Sequence, residues 1–173
     1  MNRIFQFEVV SGKVCLSDPC YEKGCWCGKY DVPAKNGVWF AEVSYNDEDR
    51  VSTVRYTHNS IDSLANVGLT NQEFGVDSGQ FGVFDSSIWE DESEWDDEAA
   101  TFYGKCCDLT CNAEEGCGVV FGSGFVSSSG YGDGGYDGYL YYAADKPDEL
   151  VAFYIDFCAD GEDNGDCDYG DDE

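Results

Sequence analysis

The sequence predicts a β-rich α+β domain: an antiparallel sheet or sandwich with one helical insertion over about residues 88–111. Three observations predict it. Short runs alternate apolar and polar residues with the period of two that puts one strand face against a core. Clusters of Gly, Asn, Asp and Ser punctuate those runs as turns do. Aromatics make up 16% of the chain, with 12 Tyr, 11 Phe and 4 Trp, so its acidity is not the acidity of a disordered segment. At 173 residues the natural expectation is a single domain over 1–158 followed by an acidic tail over 159–173.

The elements follow in order. Ile4 to Val10 reads as a strand, with Phe5, Phe7 and Val9 alternating with Gln6 and Glu8. Ser11-Gly12 turns it into a second short strand, Lys13 to Leu16. The stretch SDPCYEKGCWCGKYDVPAKNG reads as a long loop ending at Asn36-Gly37. Val38 to Tyr45 is a strand, and NDEDR turns it so that Val51 to Tyr56 pairs back as a hairpin. Residues 60–70 suit a short helix or a loop. EFGVDSGQFGVFD suggests two short strands around Ser78-Gly79. From Ile88 to Cys111 a helix is expected, capped by Ser86 or Ser87, with acids in its first turn and Ala99, Phe102, Tyr103 and Cys106 on its apolar face. Gly118–Ser127, Tyr136–Ala144 and Leu150–Cys158 read as a three-strand meander, so SSSGYGDGG is expected to join adjacent strands.

Charge is the strongest single fact. The formal net charge is −27, and residues 71–173 hold 27 acids against two bases, Lys105 and Lys146. Such a field repels nucleic acid and anionic membranes and draws cations and basic protein surfaces. Solubility alone also accounts for surface acidity. The start MNRIFQFEVVSG lacks an apolar signal core, and no stretch approaches the ~20 apolar residues of a membrane span, so a cytoplasmic location is expected.

Ten cysteines accompany no export signal, which favours reduced thiols. Cys20, Cys25 and Cys27 form one cluster, and Cys106, Cys107, Cys111 and Cys117 another. Zinc at these clusters is a weak alternative, because CxC, CC and CxxxC are not the paired knuckles that structural zinc favours. The tail from Asp160 to Asp171 approximates a calcium loop, with Gly165 at its sixth position. It departs by Glu162 at the third position, Asp171 at the twelfth, and a strand in place of the preceding helix.

Three stretches taken together, SGKVCLSDPCYEKGCWC, VDSGQFGVFD and GFVSSSGYGDGGYDGYLYY followed by VAFYIDF, resemble a family of bacterial and phage proteins of unknown function. That family is marked by SDPCY, VDSGQxGxFD and SSSGYGDGxY motifs. The resemblance spans most of residues 9–157. It implies a bacterial or phage origin and an intracellular setting, and it transfers no catalytic residue. Cys20, Cys27 and Cys107 fall where that family often has cysteine, whereas Cys25 stands where it usually has Thr. The tail beyond Phe157 and much of the acidity of residues 90–98 lie outside the pattern.

Two site readings follow. In the first, the WEDESEWDDE run binds a basic partner. Glu90, Asp91, Glu92, Glu94, Asp96, Asp97 and Glu98 supply charge, with Trp89 and Trp95 as apolar anchors. On a helix, carboxylates three and four apart line one face ~5–6 Å from each other, a spacing comparable to that of phosphates along a strand. The expected function is therefore an acidic binding protein, not an enzyme. It would act as a phage-type inhibitor or DNA mimic that blocks a basic nucleic-acid-handling host protein, such as a nuclease. In the alternative, a small polar-ligand or metal-binding module gathers Asp18, Asp77, Gln80, Ser129, Tyr131, Asp133 and Tyr136 from three loops. Asp18 and Asp77 equally suit turn caps that bind their own backbone amides. The lone histidine, His58, suits a plain cross-strand residue, and no catalytic triad can be assembled from it.

Overall fold

Large apolar residues at every second position make Asn2–Val9 (β1) and Gly37–Tyr45 (β4) one-sided strands, and they pair antiparallel with Phe7 opposite Trp39. The computed structural model describes residues 2–65, 67–91 and 101–157. Eleven strands form two antiparallel sheets. Sheet I has the order β1-β4-β5-β11-β10-β6, where β5 is Val51–His58, β6 Gly68–Val76, β10 Gly134–Tyr142 and β11 Leu150–Asp156. Sheet II has the order β3-β2-β7-β9-β8, where β2 is Lys13–Ser17, β3 Lys29–Pro33, β7 Gln80–Asp85, β8 Cys117–Val119 and β9 Gly124–Ser128. The β-rich architecture with one helical insertion is as expected.

The main core fills the space between the sheets. Phe7, Trp39, Tyr56 and Phe153 of sheet I meet Phe81 and Phe125 of sheet II, with ring centroids 5–7 Å apart in tilted, stacked and edge-on pairs. A second, smaller cluster covers the outer face of sheet II, where Cys15, Phe84 and Val126 pack under Trp89, Phe102 and Cys106. Sheet II is therefore buried on both faces, and all six residues of β7 are inside.

The helical insertion is shorter than its apolar pattern implies. Among the described residues a single α-helix, α1, spans Phe102–Cys107 and runs into a π-helical turn at Asp108–Asn112. Thr101 caps it by accepting from the Gly104 N–H at 3.0 Å. Residues 86–88 form a turn held by Asp85, so neither Ser86 nor Ser87 opens a helix.

Three further expectations are corrected. The loop read over 17–37 contains β3, whose KYDVP carries too few apolar residues to announce a strand. Gly118–Ser127 is a hairpin of β8 and β9, broken at Phe121 and Gly122, both at positive φ. The meander does not form, because β9 lies in sheet II and β10 in sheet I. SSSGYGDGG is thus a crossing between sheets, as is the turn at Ser78-Gly79 between β6 and β7.

The chain crosses between sheets four times: β1 to β2, β3 to β4, β6 to β7 and β9 to β10. Each crossing takes backbone N–H groups off the ladders, and a buried donor left unpaired costs about 1–3 kcal/mol. At the first crossing the buried carboxylate of Asp85 accepts from the Val10 and Ser11 N–H groups, and it also takes the Ser87 N–H. Near the second, the Asn36 side chain accepts from Gly12 N–H at 2.7 Å, while its carbonyl lies 2.7 Å from His58 Nε2. His58, opposite Trp39 on β5, is a buried cross-strand residue.

Two predictions follow from these contacts. A Cβ at Gly82 would lie 2.4 Å from the Phe125 carbonyl oxygen and 2.4 Å from the Phe84 ring. Gly82→Ala should therefore cost about 1–3 kcal/mol, read as a lower urea midpoint at unchanged slope. Burial works to raise the Asp85 carboxyl, but donors from Ser11, Val10 and Ser87 outweigh it and hold the group below the ordinary carboxylate value. A depressed folded value stabilises fully above the unfolded value of about 4, and the benefit is lost as pH falls through the folded value. The gap in unfolding free energy between wild type and Asp85→Asn should thus be flat above about pH 5 and shrink below it. A gap still constant at about pH 3 would contradict this assignment.

Candidate functional site

SDPCY, VDSGQ and SSSGYGDGG come from three distant parts of the chain and meet at one end of the sandwich. Asp18 joins the first two. It is fully buried, and its Oδ2 accepts from the Asp77 and Ser78 N–H groups at 2.8 and 2.7 Å. Its Oδ1 accepts from the Ser78 hydroxyl at 2.6 Å and from the Cys20 N–H at 2.9 Å. The last of these closes the turn of Asp18's own loop, as short acidic side chains do. Both oxygens are therefore occupied, and the carboxylate has no free lone pair aimed at solvent.

The third loop attaches through backbone. Ser129 N–H donates to the Gly79 carbonyl at 3.0 Å. Ser129 Oγ and Tyr136 OH both donate to the Gly132 carbonyl, at 2.8 and 2.6 Å. Gly79, Gly130, Gly132 and Gly134 sit at positive φ, so these tight reversals require glycine. The β4–β5 turn braces the loop from outside. The Arg50 guanidinium stacks 4.7 Å from the Tyr131 ring centroid and donates to the Gly130 carbonyl, and Asn46 Nδ2 donates to Tyr131 OH. Gln80 is buried and faces the helical segment, accepting from Thr110 Oγ1 at 3.1 Å and donating to Cys107 Sγ at 3.4 Å.

Of the seven residues proposed for this site, Asp18, Gln80, Ser129 and Tyr136 hold the loops together. Asp77, Tyr131 and Asp133 are exposed, so the two exposed carboxylates are what the cluster offers a ligand. Burial, then the neighbouring Asp18 charge, pushes the Cys20 thiol well up, and burial does the same for Tyr21 and Tyr103. These three groups stay protonated at neutral pH and supply no nucleophile.

The acidic run is described only at its edges. Trp89 is buried in the outer cluster, with its ring centroid 5.1 Å from that of Phe102 and 5.6 Å from that of Phe84. Its Nε1 donates to Asp91, whose carboxylate also accepts from the Lys23 N–H. Trp89 is thus a core residue with little apolar surface left for a partner, and Asp91 anchors the β2–β3 loop. Glu90 is exposed. Glu92, Glu94, Trp95, Asp96, Asp97 and Glu98 lie outside the described residues, as does the acidic tail with its calcium-loop pattern.

The second cysteine cluster disperses. Cys106 lies on the buried face of α1 in the outer cluster, Cys117 lies in the main core and Cys111 is exposed. Among the described residues no three His, Cys, Asp or Glu side chains converge to hold a metal ion. No described helix is long and apolar enough to cross a membrane. Two features escaped the sequence reading: Asp85, whose role needs a partner 75 residues away, and the exposed turn at Cys25-Trp26-Cys27.

No family model, no curated protein and no solved structure matches the chain.

The geometry separates buried from exposed carboxylates. Asp18→Asn keeps the shape but sets an amide N–H against a backbone donor, and it should lower stability by at least about 2 kcal/mol. Asp77→Asn and Asp133→Asn should each stay within about 0.5 kcal/mol of wild type. Chemical denaturation of the three variants checks both statements.

Proposed function

We propose that the chain is an acidic binding protein, not an enzyme, and that it blocks a basic nucleic-acid-handling host protein, such as a nuclease, by standing in for DNA. The observation that carries this reading is the charge imbalance: from residue 71 onward 27 acids face two bases. Among the described acids of that half, Glu115 and Glu149 take part in ion pairs, and both pairs lie at the surface. Much of that charge is exposed, as at Asp77, Glu90, Asp133 and Asp137, where it is open to a partner outside the fold. A basic cleft exchanges its counterions for any dense polyanion.

The anchoring of the acidic run supports the same reading. Trp89 and Phe102, on either side of residues 90–101, touch in one cluster. The described ends of the run therefore lie together. Binding energy would come from the carboxylates of Glu90, Glu92, Glu94, Asp96, Asp97 and Glu98 and from Trp95, with Trp89 and Asp91 securing the base of the run.

A second reading, a small polar-ligand module, draws on the meeting of the three loops, with Asp77 and Asp133 exposed there. One experiment separates the two. The purified chain serves as bait in bacterial lysate at low and near-physiological salt, with DNA as competitor. Mimicry predicts one dominant nucleic-acid enzyme, displaced by DNA. Its affinity should fall at least about tenfold between roughly 50 and 200 mM salt and be lost when the acids of 90–98 become amides. Capture that survives those amide changes and is lost in Asp77→Asn with Asp133→Asn would overturn mimicry in favour of the loop site.

A further inference from the structure

The β2–β3 loop holds two thiols side by side, Cys25 half-buried and Cys27 buried beneath it. Cys25 Sγ and Cys27 Sγ are 3.1 Å apart, the nearest approach of sulfurs that the structure records among its eight described free cysteines. The sequence places them there through a tight turn. Gly28 N–H donates to the Cys25 carbonyl at 3.2 Å, making Cys25 and Cys27 the first and third residues of a four-residue turn. Such positions fall within the ~4.4–6.8 Å Cα separation that a disulfide tolerates. Gly24, at φ +93, swings the chain into this turn.

The two cysteines are not equivalent. Cys27 is buried and clamped to β6. Its carbonyl accepts from Gly75 N–H at 3.0 Å, and a Cβ at Gly75 would lie 2.8 Å from Cys27 Cβ. Cys25 is half-buried, on the open side of the turn. Between them Trp26 is 92% exposed, although a tryptophan at the surface normally buries most of its ring. Asp18 and the sandwich core make no use of this side chain.

We propose that Cys25-Trp26-Cys27 is a redox-active dithiol that low-molecular-weight disulfides oxidise once, in a stoichiometric exchange. The Cys25 thiolate attacks one sulfur of R–S–S–R. The S–S bond of the substrate breaks, and the departing thiolate takes up a proton to leave as the first R–SH. Cys25 now carries a mixed disulfide. Cys27 loses its proton to solvent and attacks Cys25 Sγ at its existing short distance. The bond between Cys25 and the bound sulfur breaks, and the second R–SH leaves after protonation. The two protein thiols are oxidised to one disulfide, and one substrate disulfide is reduced to two thiols. Burial raises the Cys27 thiol, which fits the later, intramolecular attack, where proximity compensates for a small thiolate fraction. Trp26 offers its exposed ring to the substrate's R groups.

The test uses the whole chain, reduced and then exposed under native conditions to oxidised glutathione, a peptide disulfide. Differential alkylation and mass spectrometry follow each cysteine, with exposed Cys111 as internal reference. The expected result is an intramolecular Cys25–Cys27 disulfide, formed at least about tenfold faster than any adduct on Cys111 and reversed by dithiothreitol. Cys27→Ser should stop at a glutathione adduct on Cys25, and Cys25→Ser should abolish the fast phase. Trp26→Phe should remove the accompanying change in tryptophan emission while leaving the oxidation in place. Free thiols at both positions once Cys111 has reacted, or a lasting mixed disulfide in wild type, would overturn the proposal. If the Cys27→Ser chain does not fold, the wild-type masses alone decide. None of these readouts involves the acidic run, so failure here leaves the proposed function untouched.

Discussion

A sandwich whose chain changes sheets four times must satisfy backbone donors at buried corners where no neighbouring strand is available. Two carboxylates meet that requirement. Asp85 takes two N–H groups at the β1–β2 corner, and Asp18 takes two at the β6–β7 corner. Each also accepts an N–H two residues ahead in its own chain, from Ser87 and Cys20. An aspartate in this position couples a local turn to a distant corner, so neither can form correctly without the other. The rest of the architecture follows from these joints. With the corners fixed, β7 sits at the centre of sheet II, and the aromatic core closes over it.

This dependence explains which parts of the fold were legible in the sequence. β1, β4 and β5 announce themselves because one face of each is apolar and the other polar, and β11 because it is a continuous apolar run. The β4–β5 hairpin is legible because NDEDR is a local turn. Sheet membership is not legible, because a period of two says which face is buried and not which sheet a strand joins. Ser78-Gly79 and SSSGYGDGG therefore look like hairpin turns and are crossings. β7 hides its alternation because α1 and Trp89 cover its second face. The helix boundary is obscured for a related reason, since Trp89 belongs to the same apolar cluster as Phe102 without being helical.

The candidate sites show the same limit. An aspartate in a turn motif reads identically whether it serves a ligand or its own fold, and only burial separates the cases. Asp18 is sealed inside with both oxygens engaged, whereas Asp77, only two residues from Gly79, is open to solvent. Grouping the three motifs in sequence nevertheless picked out segments that touch in space. The sharing of Tyr131 between Arg50 and Asn46 needed coordinates, because those partners lie about eighty residues away.

The contact between Trp89 and Phe102 has a consequence for how such a chain can change over time. Because Trp89 and Phe102 touch, the segment between them is closed at its two ends. The entropic cost of closing a loop rises only with the logarithm of its length, about 0.6 kcal/mol per doubling. A change in the length of that segment therefore adds little closure cost, provided that Asp91 and Thr101, which tie the β2–β3 loop and the start of α1, are kept. The aromatic pair marks where that segment is tied to the sandwich.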